Sequence, residues 1–109
     1  MAYDEGLAQR IRESVGELPE VGEKRMFGGL AFLHRGNMLV GVMGDDLIAR
    51  VGPDASDAAL ALPGARVFDF TGRPMRAWVL VDGAVLEEDT ALDGWIDRAR
   101  AFVDTLPTK

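Results

Sequence analysis

Residues 24–81 are dominated by apolar side chains at every second position, cut at short intervals by glycine, and they are enclosed by two stretches of helical period. A period of two belongs to a pleated strand, whose successive side chains point to opposite faces, so the chain is constrained to a sheet with a helix at each end. Lys24 to Phe32, Gly36-Asn37-Met38 and Phe70 to Met75 are the clearest of these glycine-punctuated segments.

In the first helical stretch, Leu7, Ile11, Val15 and Leu18 recur on one face, with Asp4 and Glu5 where a helix N-terminus favours negative charge. Pro19 and Gly22 then predict a stop near Leu18 and a short acidic loop. From Arg25 to His34 the alternation reads as one strand, with Met26, Gly28, Leu30, Phe32 and His34 on one face. Arg35-Gly36 or Gly36-Asn37 supplies a turn into a second strand, Met38 to Met43, and a third runs from Leu47 to Val51. Connections this short make an antiparallel meander, because a parallel crossover needs a dozen or more residues. After Gly52-Pro53, Asp54 or Ser56 caps a short Ala-rich crossover helix reaching Leu62, and Val67–Phe70 and Met75–Val81 bring the sheet to about five strands. Leu92, Trp95, Ile96, Ala99, Phe102, Val103 and Leu106 form an apolar helical stripe backed by Asp93, Asp97, Arg98 and Arg100. The expected fold class is therefore α+β, a mainly antiparallel sheet with N- and C-terminal helices packed on it, and the 109 residues suit a single domain over 1–109.

Composition narrows the chemistry. The absence of Cys removes disulfides, thiol nucleophiles and Cys-based zinc sites, and a single His cannot supply a histidine cluster, so no metal or cofactor is expected. The N-terminus lacks the basic and apolar regions of a secretory signal, and no apolar run is long enough to span a bilayer, which points to the cytoplasm and away from membranes. The net charge of -6 is divided as -4 over residues 1–23, +2 over 24–81 and -4 over 82–109. Direct nucleic-acid binding is opposed by that balance and by the lack of a helix-turn-helix signal. Weakly basic strands between acidic ends instead suit an oriented contact with a protein.

Each candidate for catalysis has a simpler structural reading. His34 stands beside a turn without a local nucleophile or carboxylate partner, and Ser14 and Ser56 lie in helical contexts outside any Gly-x-Ser-x-Gly elbow. Asp45-Asp46 reads as a hairpin turn and Glu87-Glu88-Asp89 as a helix start whose acids cap it and balance the dipole. Gly28-Gly29 is followed by strand rather than helix, so it predicts a bulge or a close backbone approach in the sheet, the alternative being that it lets the last helix sit close to the sheet. No catalytic residue is assigned, and the chain is expected not to be an enzyme. Arg73 and Arg76, flanking Pro74 between Phe70 and Trp78, are the candidate contact for a partner or an anion, because the guanidinium fork donates several hydrogen bonds at once.

The opening Met-Ala-Tyr-Asp-Glu, Lys24 to Phe32 with Gly36-Asn37-Met38, Asp45-Asp46-Leu47, Arg50-Val51-Gly52-Pro53 and Asp69 to Met75 together resemble the N-terminal domain of the TfoX/Sxy family. That resemblance implies a curved antiparallel sheet with helices on one face, as in the secretion-chaperone-like group, and a regulator of bacterial competence acting through transcription machinery such as the cyclic-AMP receptor protein. The longer regulators add a helical C-terminal domain, so this chain reads as a stand-alone N-terminal domain. A non-catalytic interaction module is expected, with a homodimer left open. The alternative is a small-molecule or anion-binding domain, or a minor enzyme, using a cleft between the last helix and the sheet.

Overall fold

A computed structural model describes residues 3–16, 18–26, 28–69 and 74–108, with the backbone alone for 74–76. Helix α1 spans Glu5–Val15 and begins where the Asp4 carboxylate accepts hydrogen bonds from the Gly6 and Leu7 amides at 2.8 and 3.3 Å, satisfying two N–H groups left free at a helix start. Its buried face is Leu7, Ala8, Ile11 and Val15. The chain then enters strand β1, Val21–Met26, which begins four residues before the Arg25 start that the alternation suggests.

The single strand read over 25–34 is in fact the end of one strand and the whole of another. Strand β2, Gly29–His34, folds back on β1 with Met26 opposite Gly29, and Gly28 turns the corner at φ 73°. Glycine is what permits this conformation, since a Cβ disfavours positive φ. Strand β3, Asn37–Met43, follows through Arg35 and Gly36, both at positive φ, the twist that a two-residue antiparallel hairpin prefers. Strand β4, Asp46–Arg50, completes a four-strand meander.

Helix α2, Ser56–Leu60, then carries the chain past the next position in the sheet to strand β5, Ala65–Asp69, and strand β6, Pro74–Val81, returns between β4 and β5. The sheet therefore has six strands in the order β1-β2-β3-β4-β6-β5, every neighbouring pair antiparallel, and one strand more than the sequence suggested. A 3₁₀ turn, Gly83–Leu86, capped by Asp82, leads into helix α3, Asp89–Val103.

Among the described residues, the helices lie on one face of the sheet. Leu30, Phe32, Val40, Val42, Leu47, Ala49, Val79 and Val81 point from the strands into the same core as Leu7 and Ile11 of α1 and Leu92, Trp95 and Ile96 of α3. A bulge sharpens this arrangement. Phe32 pairs with Val40 and Leu33 with Met38, leaving Leu39 as an extra residue that also turns to the helices.

One ion pair ties α1 to the sheet edge. Arg12 donates to both Glu23 carboxylate oxygens, at 2.7 and 2.9 Å, and this hydrogen bonding, ahead of the opposing cost of burial, lowers the Glu23 pKa below its ordinary 4.5. A carboxylate with a depressed folded pKa contributes stability that is present above the unfolded value and is lost as pH falls through the folded one. Glu23→Gln is therefore expected to lower the urea midpoint slightly at pH 7, the pair being partly exposed, and to match the wild type at pH 2. Equal midpoints at pH 7 would show that the pair contributes nothing.

Candidate interaction surface

The face of the sheet turned away from the helices is also apolar. Ala31, Met38, Ile48 and Phe68 are buried there, with Met26, Leu33, Met43, Trp78 and Leu80 half-buried around them. Pairing register sets this grouping. Gly41 stands in the same row, and the Met38 methyl lies in the space a Gly41 side chain would need. The Gly28 turn inverts the alternation, so Met26 faces this side, away from the Leu30 and Phe32 with which it seemed to align.

Three cations rise from the same face. Lys24 sits opposite Ala31 and is exposed, Arg66 sits opposite Leu80, and Arg50 sits opposite Trp78. Arg66 is held by Asp46 at 3.2 Å, and Asp46 also accepts from the Gly83 amide. Arg50 is different. Its guanidinium lies 5.2 Å from the Trp78 ring centroid and 5.6 Å from that of Phe102, and among the described residues its buried Nε has no hydrogen-bond partner. Gly52, at φ 86°, leaves room for the Phe102 ring to close over the end of β4, so Arg50 marks the rim where the sheet meets α3.

The helix layer is acidic and largely engaged with itself. Arg10 donates to the Leu86 carbonyl at 2.6 Å and to Asp89 at 3.0 Å, and Ser14 donates to Asp93 at 2.7 Å. Asp89 thus braces α1 to α3, while Glu88 occupies the N-cap of α3 without a side-chain capping bond, so the expected capping role of the acidic run is not seen. Ser56 donates to the Pro53 carbonyl. A cleft of about 680 Å³ opens between the start of α1 and the turns after β3 and β6, but Asp4, Asp45, Asp46, Asp82 and Glu87 line it against Arg10, a poor setting for an anion. The cleft between α3 and the segment after β4, about 340 Å³, is mainly apolar with Arg98 at its side.

The remaining sequence candidates fall as follows. His34 is buried rather than presented to solvent, with Nε2 3.6 Å from Asp104, beyond hydrogen-bond reach, and Nδ1 without a partner among the described residues. Beside it Asn37 donates to the Pro107 carbonyl at 2.9 Å, fixing the tail beyond α3. Gly29 is a close backbone approach within the sheet, as expected, and its neighbour is β3, not the last helix of the alternative reading: a Cβ would overlap the Val42 carbonyl. Arg73 lies outside the described residues. Arg76 belongs to β6, and its side chain also lies outside them. Arg50, two positions before the Gly52-Pro53 break, was not singled out by sequence reasoning; the one available signal was a basic residue at the end of an otherwise apolar strand.

Among the described residues, no three His, Cys, Asp or Glu side chains are grouped to hold a metal, and no helix is long and apolar enough to cross a membrane. A six-stranded antiparallel sheet with a helix layer on one face, and an apolar face ringed by cations on the other, defines an α+β domain with a two-sided character. The model of the TfoX N-terminal domain family matches residues 13–103, and the chain belongs to that family. No curated protein and no solved structure shows significant similarity to it.

Proposed function

We propose that this domain is a non-catalytic regulatory module that works in the cytoplasm by binding another protein, in the manner of a competence regulator's N-terminal domain. Membership of the TfoX N-terminal family carries the reading. It is supported by the internal use of the reactive side chains: both serines are bonded within the fold, and His34 is 3% exposed with no serine bonded to it. The sheet, by contrast, leaves the β1 edge unpaired among the described residues, with Gly22 to Arg25 exposed. Charged residues on such an edge discourage indiscriminate strand pairing, which suits a selective partner.

Cross-linked affinity capture from a native lysate tests this, with the Arg73→Ala/Arg76→Ala variant as control. Recovery of transcription proteins by the wild type is the expected result, and loss in the double variant would place the contact at that turn. An empty capture, together with stabilisation by nucleotides or anionic metabolites in a thermal-shift screen, would replace the module with the ligand-binding alternative.

A further inference from the structure

We propose that the helix-free face of the sheet is the docking surface of this module and that its occupant is an acidic, amphipathic protein segment whose carboxylates are received by Arg50 and Lys24. This inference rests on the protein-binding reading above. The first observation is Arg50. In a chain with 18 acidic and 12 basic residues, it is half-buried between two aromatic rings, and its buried Nε has no hydrogen-bond partner among the described residues. A partly desolvated guanidinium ordinarily has such a partner, because losing water without a replacement acceptor is costly. Stacking on Trp78 and Phe102 holds the fork in place without occupying its donors.

Charge distribution is the second observation. Lys24, Arg50 and Arg66 stand on this face against Asp46, which Arg66 already holds, while the acids of α1 and α3 lie on the opposite side of the sheet. The apolar ground between the cations includes Met26, Met43 and Trp78, none of them fully buried. Unbranched, polarisable methionine adapts to varied apolar side chains. An acidic segment with apolar residues complements both features. A second copy presenting the same face would bring like charges together, and a phosphate backbone would leave the apolar centre unmatched.

A random dodecapeptide display library, selected on the wild-type protein, tests the assignment directly. Enriched sequences should combine Asp or Glu with Leu, Met, Phe or Trp, and their binding should weaken as salt rises. The best-enriched peptide is then titrated into a Trp95→Phe variant, in which Trp78 is the sole tryptophan, and its emission should change on binding. Arg50→Glu and Lys24→Glu should each weaken binding by about tenfold or more, with Arg50→Lys closer to wild type. Lys24 is exposed, so its variant keeps the test valid if Arg50→Glu fails to fold. Enrichment of neutral or basic peptides, no enrichment, or affinities unchanged in both charge-reversed variants would overturn the assignment. A lysate partner captured equally by the wild type and Lys24→Glu, and with silent Trp78 emission, would leave the protein-binding module standing and remove this surface from it.

Discussion

Replacing Trp95 by alanine is expected to lower the unfolding free energy by about 3–5 kcal/mol, the range for truncating a large buried aromatic. Trp95 is 4% exposed and lies with Leu92, Ile96, Ala99 and Val103 on the buried face of α3, the helix that covers β3 and β4. Leu62, Pro63 and Val85, from the connection after α2 and the 3₁₀ turn, line a cleft together with Trp95. Removing the indole leaves a void in the close-packed layer between α3 and the sheet. Arg98, stacked at 5.4 Å on the same ring, loses that contact too. Urea unfolding at unchanged slope reads the difference. Trp78→Ala, at a half-buried position, should cost distinctly less, and near-equal losses would mean that the two rings are not differently buried.

Gly29→Ala is expected to be the most damaging single-methyl change in the sheet, costing about 3 kcal/mol, the upper part of the range for overpacking. The obstacle is the Val42 carbonyl of the neighbouring strand, so no side chain can turn aside to make room. Relief requires β2 and β3 to separate where Leu30 pairs with Val42. Gly22→Ala in β1 is the matched control. Nothing lies within 4 Å of the added methyl, and replacing glycine at an unstrained position removes freedom from the unfolded chain, so stability should rise by about 0.4–1 kcal/mol. If the two variants behave alike, the close approach of β2 to β3 is not as described.

The terminal helices and most strands were legible because burial writes a period into the sequence. The stripe from Leu92 matches α3 closely as far as Val103, with Leu106 falling beyond the helix, and Asp4 marks the start of α1. The break at Gly28 was not legible, since an apolar alternation passing through glycine is the same whether the strand continues or reverses. Only tertiary pairing of Met26 with Gly29 decides the matter. Leu39 is hidden for a related reason: a bulge places two adjacent apolar residues on one face, and in sequence they look like one inward and one outward residue. The candidate surface was the least visible feature. Arg50 is informative only through Trp78 and Phe102, which lie 28 and 52 positions later in the sequence and are brought to it by β6 and α3. The same logic left Asp46 looking like a turn residue when it also anchors Arg66 and Gly83.

The ends of the described chain are tied to opposite ends of one strand. The Asp4 amide donates to the Gly44 carbonyl just past the end of β3, and the Pro107 carbonyl accepts from Asn37, the first residue of that strand. With a rise of about 3.3 Å per residue, these anchor points stand roughly 23 Å apart. A circular permutant would have to bridge Pro107 to Asp4 with about seven fully extended residues in all, residues 108, 109 and 1–3 included, to leave both anchors intact. Two copies in tandem would be strung pole to pole rather than side by side, with the central strand of each copy setting the spacing of the string.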